Sequence, residues 1–292
     1  MKTVVSPALP PLRFQPLFKP LLRMFLGIAC LLPLAPSPGH AAVLTEDFGY
    51  SAGSLAGNGT ATGGWTGAWT GNTNNGINTS ANLTISGVTG YSITQTGTGY
   101  LTYGSSAAGN PSSVRSFSPF TEGEFWFSVL LHNPTNGRVG LHFNVVGDPK
   151  RDNSALGVLL VGNDARYVDN GGFGTDKSIA TLPTGATHLV IGRVVLGTGV
   201  VSLWFDPANV TSPVLLDTPF NFTTTGNIAS GMFNVGVETY SGGQLDALRI
   251  GSSLNEVVGL PAPIPEPATA LLLLPAGLFA LGYWRKQRRS GF

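Results

Sequence analysis

The chain predicts an all-β fold, a sandwich of two sheets, on three observations. Short β-branched and aromatic runs recur between Gly, Asn and Pro punctuation from Ala42 to Leu260, a spacing that marks sandwiches and barrels. No stretch of any length there repeats with a helical period. Gly contributes 40 of the 292 residues and charged residues only 11%, so turn formers are common and long charged helix formers scarce.

Taken in order, the expected strands are Leu83–Ile85, Tyr91–Thr94, Tyr100–Tyr103, Phe125–Leu131, Gly140–Val146, Leu156–Val161, Leu189–Leu196, Val200–Phe205, Met232–Glu238 and Leu245–Ile250. Residues Val195 to Val201 read as a hairpin, because Gly197 and Gly199 accept the positive φ that a tight turn requires. Around Phe125, both alternating faces are apolar, with Phe125, Phe127, Val129 and Leu131 on one and Trp126 and Leu130 on the other. A strand of that kind belongs in the middle of a sheet. No internal repeat of fixed period interrupts the pattern.

The ends read differently. Residues 1–41 open with Lys2, Arg13, Lys19 and Arg23 and no acid, pass through an apolar run from Met24 to Ala35, and reach a breaker-rich stretch with small residues at Gly39 and Ala41. A charged start, apolar centre and small-residue exit make a secretory signal, with signal-peptidase cleavage expected between Ala41 and Ala42. Residues 261–292 hold Pro265-Glu266-Pro267, an uncharged run of 17 residues over 268–284, and a basic tail over 285–289 with Arg285, Lys286, Arg288 and Arg289. That run is just long enough to cross a bilayer as a helix, and the basic cluster should remain cytoplasmic. The mature domain is therefore expected to span 42–260.

Charge has to be counted by segment. Between Ala42 and Ile264 there are eight basic and fourteen acidic residues, a net of −6, so the overall +1 comes from the two ends. An acidic domain argues against nucleic acid as a partner, since phosphate binding relies on Lys and Arg. The single cysteine, Cys30, lies in the expected signal, which leaves the mature chain no disulfide and no thiolate metal ligand.

The carboxyl-terminal arrangement resembles the PEP-CTERM sorting signal of bacteria that make exopolysaccharide. The resemblance covers Ile264 to Arg289: the Pro-Glu-Pro, the span and the Arg-rich stop. It implies processing near the motif by an exosortase, a membrane cysteine transpeptidase. Residence in the inner membrane would then be transient, ahead of display at the cell surface or in the extracellular matrix. A second resemblance rests on Glu46-Asp47-Phe48-Gly49-Tyr50, Gly53-Ser54-Leu55 and Gly63-Gly64-Trp65-Thr66-Gly67-Ala68-Trp69, with the closing run Gln244 to Gly251. These segments are similar to the opening and last strands of exported laminin-G-like jelly rolls of the concanavalin A-like group. That resemblance implies a closing strand that pairs near the first, and a fold shared by lectins, glycosidases, lyases and structural modules.

Two function classes stay open. A glycosidase on such a fold needs two carboxyl groups about 5–10 Å apart across the sugar bond. The laminarinase-like Glu-x-Asp-x-(x)-Glu pattern is missing; Glu122 and Glu124 come nearest and read as a solvated strand start, while Glu46 and Asp47 point to opposite faces. His132, His142 and His188 stand singly in strands, as packed or rim residues do. A binding module needs instead an aromatic platform for sugar C–H faces, and Trp65 and Trp69, in a Gly/Thr-rich stretch, are the candidates; the alternative is that they plug the core and pin the first loop. Loops with Asp148, Asp152 and Asn153, and with Asn163, Asp164, Asp169, Asn170 and Asp176, supply oxygen ligands of the type calcium takes. Asp and Asn are also default turn residues, and no cofactor is otherwise implied. The leading expectation is a non-catalytic, exosortase-sorted surface protein that binds polysaccharide; the alternative is a surface-delivered glycosidase or lyase.

Overall fold

The computed structural model describes residues 43–71, 75–103, 112–145, 154–171, 176–212 and 217–260. The expected export signal, the terminal sorting segment and the loop residues Asp148, Asp152 and Asn153 lie outside the described residues. In chain order the strands are β1 (Leu44–Glu46), β2 (Gly53–Ser54), β3 (Thr70–Gly71), β4 (Asn75–Asn78), β5 (Tyr100–Tyr103), β6 (Ser112–Phe120), β7 (Glu124–His132) and β8 (Arg138–Phe143). They continue with β9 (Ser154–Val161), β10 (Asp164–Gly171), β11 (Lys177–Thr181), β12 (Thr187–Val195), β13 (Val200–Phe205), β14 (Phe220–Thr223), β15 (Met232–Tyr240) and β16 (Gln244–Gly251), followed by a short helix α1 (Leu254–Val258).

Two antiparallel sheets result, an arrangement consistent with a jelly-roll sandwich. The nine-stranded sheet runs β14-β13-β12-β7-β16-β5-β4-β2 with β1 added on β16, and the seven-stranded sheet runs β11-β10-β9-β8-β15-β6-β3. The closing strand does return to the first: Leu44 lies opposite Ile250, and Glu46 opposite Leu248. The expected hairpin joins β12 to β13, where Val195 pairs with Val200 and Gly199 takes φ 70°. The Phe125 strand is central, held between β12 and β16.

The reason is visible in how each face of β7 is used. Phe125, Phe127, Val129 and Leu131 enter the core between the sheets, with Phe117, Phe143, Leu141, Val237 and Leu248. Trp126 and Leu130 face the other way and build a second apolar layer with Leu189, Ile191, Trp204, Val210, Val257 and Val258. Each fully buried aliphatic or aromatic side chain contributes about 1.5–3 kcal/mol, so both layers weigh in stability.

Two expected strands are corrected. Leu83–Ile85 and Tyr91–Thr94 form no ladder; Leu83, Ile85, Tyr91 and Ile93 instead spread over the second apolar layer. Their apolar residues answer to burial, not to strand pairing. Conversely, β6 and β10 were not expected, because Ser-rich Ser112–Phe120 and charged Asp164–Gly171 hide their alternation behind polar residues on the inner side as well. Helix α1 is too short for periodicity to reveal. It is closed at its start by Glu256, whose carboxylate accepts from the Ser252 and Ser253 amides at 2.6 and 3.1 Å.

Candidate functional site

Beside β1 lie two adjoining cavities of about 330 and 290 Å³, which share Thr45, Asp47 and Thr96 in their walls. Strand β1 and the turn after it supply the acidic floor. Glu46 is 4% exposed, and its Oε2 receives Arg115 Nη1 at 2.5 Å, the Tyr50 hydroxyl at 2.7 Å and the Trp69 indole N–H at 2.9 Å. Its Oε1 accepts the Phe48 amide at 2.9 Å. Asp47 accepts the Thr96 amide and hydroxyl at 3.0 and 2.9 Å and pairs with Arg249 Nη2 of β16 at 2.5 Å. Burial, then the nearby Glu46 carboxylate, pushes the Tyr50 phenol up. Buried charges survive only when paired and hydrogen-bonded, and these two carboxylates are both.

Glu46 and Asp47 turn to different partners, Glu46 to Arg115, Tyr50 and Trp69 and Asp47 to Arg249 and Thr96, and both line the first cavity. Each is committed to an arginine from a different strand. They clamp the opening segment, and the groove above them offers hydroxyls and backbone: Thr45, Thr60, Thr62, Thr94 and Thr96, with Gly49, Gly59, Gly63 and Gly97. Gly49 and Gly97 approach so closely that a Cβ on Gly49 would lie 2.9 Å from the Gly97 Cα. Only a glycine pair lets the two segments cross there.

The expected aromatic platform sits below this surface. Trp65 is 6% and Trp69 1% exposed. Trp65 donates its indole N–H to the Thr45 carbonyl at 3.1 Å and packs edge-on to Phe117. Arg115 caps its ring at 4.3 Å. Trp65 lines the groove, but neither indole presents an open face on which a sugar could stack. Both act as plugs that pin the first loop.

The remaining sequence candidates are spread out. Arg166 stands between Asp164 and Asp176, at 2.6 and 2.8 Å, in the position where a cation would bridge them. Asp169 holds the Thr224 hydroxyl at 2.8 Å and the Thr225 amide at 2.7 Å. Among the described residues, no three or more His, Cys, Asp or Glu side chains converge on a metal position. Glu124 pairs with Arg193 and accepts the Trp126 indole N–H at 2.8 Å. Burial alone would raise its pKa, and these two partners together hold it below the usual range. Glu122 stands exposed in the turn before β7. His188 bridges Asp206 and the Pro183 carbonyl at 2.6 and 2.8 Å, and the Asp206 contact draws its pKa upward despite burial. His132 is pushed down by burial and by its neighbour His188. Sequence reasoning passed over Arg115, Arg249 and Thr96, which complete the groove. Their one sequence signal is that arginines are rare in this domain, so any in a strand needs a partner.

No family model matches the chain, and no curated protein does. Among solved structures it is similar to a sialidase at TM-score 0.43 and 9% identity, covering 73% of this chain and 18% of that one. It is also similar to a protein of unknown function from Shewanella oneidensis MR-1, at 0.42 and 13%, covering 76% and 89%. A third is lectin II from Ulex europaeus, at 0.39 and 8%, covering 73% and 98%. The chain thus spans less than a fifth of the sialidase's length, and at scores this low none of the three bears on activity.

Proposed function

We propose that this protein is an exported display module that holds polysaccharide in the groove beside β1. Its tail marks it for exosortase-type sorting to the cell surface or matrix, and the sandwich belongs with the concanavalin A-like jelly rolls. The observation that carries the delivery half is the tripartite segment, Pro265-Glu266-Pro267, an uncharged run and a basic stop, in a chain that also opens like a secretory signal. Support for the binding half comes from the chemistry of the groove. Its ionic groups are already neutralised by one another, which leaves an array of hydroxyl and amide groups suited to hydrogen-bonding sugar hydroxyls. Cavities of this size lie at the lower bound of ordinary ligand sites.

Two measurements test the halves separately. In a host with an exosortase, the released protein should lack Ala268–Phe292 by intact mass, and alanines in place of Pro265-Glu266-Pro267 should retain the precursor in the inner membrane. A released form that still carries Arg285–Arg289 refutes the sorting half. For binding, the full-length chain should retain defined oligosaccharides on a glycan array, and Thr45→Tyr should abolish retention. Thr45 is exposed on β1 and lines both cavities, so the ring fills the groove without entering the core. Equal retention by the variant refutes the groove as the site.

A further inference from the structure

Much of the wall around the groove beside β1 comes from one uncharged stretch of chain. From Phe48 to Val114 the sequence holds no Asp, Glu, Lys, Arg or His, although charged residues make up 11% of the whole. A stretch of that length would ordinarily carry several. It is bracketed by Asp47 and Arg115, and both of these line the first cavity. Between them it sends Thr60, Thr62 and Thr96 to the first cavity and Ser92, Thr94 and Thr96 to the second. All five of these hydroxyl residues are exposed.

The ionic groups that do line the groove are turned toward the protein. Arg115 donates from Nε to the Gly67 carbonyl at 2.9 Å, from Nη1 to Glu46 at 2.5 Å and from Nη2 to the Thr60 carbonyl at 2.9 Å. Arg249 donates from Nη1 to the Leu248 carbonyl at 3.0 Å, and its Nη2 pairs with Asp47 at 2.5 Å. The two arginines are 4% and 5% exposed. The hydroxyls have a direction as well. Thr96 donates to Asp47 at 2.9 Å and Ser92 to the Gly259 carbonyl at 3.0 Å, which leaves their oxygens to accept from a ligand. A sugar hydroxyl can donate to them, whereas an ionised carboxylate only accepts.

We propose that the groove selects neutral polysaccharide, built of uncharged sugar units, and rejects polyuronates and other polyanions. The inference rests on the groove reading given above and adds the charge class of the ligand to it. An acidic sugar entering here would bury its carboxylate with no free cation to meet it. The other course is to draw an arginine away from Glu46 or Asp47, which leaves that buried carboxylate uncompensated. Both are unfavourable. At longer range the net charge of −6 between Ala42 and Ile264 repels a polyanion before contact. A neutral chain meets neither obstacle, and its hydroxyls match the exposed Thr and Ser oxygens. Its contacts join uncharged groups, so its binding is insensitive to ionic strength.

The test passes the full-length chain over immobilised polysaccharides, with dextran, mannan and cellulose as neutral matrices and alginate and polygalacturonate as acidic ones. Each is run from about 0.01 M to about 1 M NaCl, over which the screening length falls from about 30 to about 3 Å. The expected result is retention on a neutral matrix that salt leaves unchanged and Thr45→Tyr abolishes, with no retention on either polyuronate at any salt. Retention on a polyuronate that is lost in Thr45→Tyr overturns this inference and leaves the groove as the site. Retention on no matrix, or equal retention by Thr45→Tyr, overturns the groove reading and this inference with it. If Thr45→Tyr fails to fold, the wild-type comparison of neutral with acidic matrices still decides the charge class.

Discussion

Outside the nine-stranded sheet the chain lays a second apolar layer, in which Trp126 and Trp204 stack at 5.8 Å beneath Leu83, Val210 and α1. Outside the seven-stranded sheet, β8 and β15 bury Arg138, His142 and Glu238. The two faces ask different things of a sequence. An apolar layer needs volume and tolerates exchange among residues of similar size. A buried polar set needs each partner in place, because a single missing one leaves an uncompensated group. That is why the first face draws on irregular segments from distant parts of the chain, while the second is built on three neighbouring strands with glycines at fixed positions.

The largest effect should come from the apolar face. Trp204 is 7% exposed, stacked on Trp126, and donates its indole N–H to the Asp217 carbonyl at 2.7 Å. Trp204→Ala should cost about 3–5 kcal/mol, measured by urea unfolding of the full-length chain. A loss below about 1 kcal/mol, the scale of an exposed position, would show that this layer is a cover and not a core.

On the polar face, Gly157→Ala should cost about 1–3 kcal/mol, as overpacking does, because its methyl meets the His142 ring. A neutral substitution would mean that the imidazole has room to move, and the contrast between the faces would weaken.

How much of this was legible in the sequence follows the same division. The strands that show were those with both faces apolar or cleanly alternating, such as Phe125–Leu131 and Val200–Phe205. The opening and closing segments declared themselves through Gly63-Gly64-Trp65 and Gln244 to Gly251, and β1 does pair with β16. Arg115 was illegible because nothing near it in sequence hints at Glu46, 69 residues away. His142, Ser154 and Glu238 looked solitary for the same reason, since their meeting depends on how three strands are paired. Of the two roles the sequence left open for Trp65 and Trp69, platform or plug, the rings take the second, buried against Phe117 and Phe48.

The smallest effect is confined to a narrow pH window, and it concerns Asp246, a buried carboxylate beside the second apolar layer. Asp246 is fully buried on β16 and accepts the Leu83 amide at 2.9 Å, the Gln95 side-chain amide at 3.0 Å and the Ala247 amide at 2.7 Å. Burial outweighs these neutral donors, and its pKa is pushed up from 3.8 to about 7. Glu238 has Arg138 beside it, whereas the arginine near Asp246, Arg249, pairs with Asp47. In the window between the two values, the folded chain keeps a proton that the unfolded chain has released. The stabilisation is therefore complete at low pH and is lost as pH rises toward 7, by at most about 1.4 kcal/mol per pH unit. His188, with its raised pKa, is protonated in both states well below 6.5 and adds a slope only above that. Glu124, with its lowered pKa, acts with the opposite sign and only below its ordinary 4.5. His132, with its lowered pKa, contributes just below 6.5 with the opposite sign to Asp246, so between about pH 5 and 6 the Asp246 part is read as the difference between wild type and a variant that keeps His132. Asp246→Asn places an uncharged amide there, and Gln95 can turn its own amide to match. Melting temperatures of the wild type should fall relative to the variant by a few degrees across that interval, the usual scale for about 1 kcal/mol in a domain of this length. Parallel curves for the two proteins would mean that Asp246 is as well compensated as Glu238, and that the two faces manage buried charge alike.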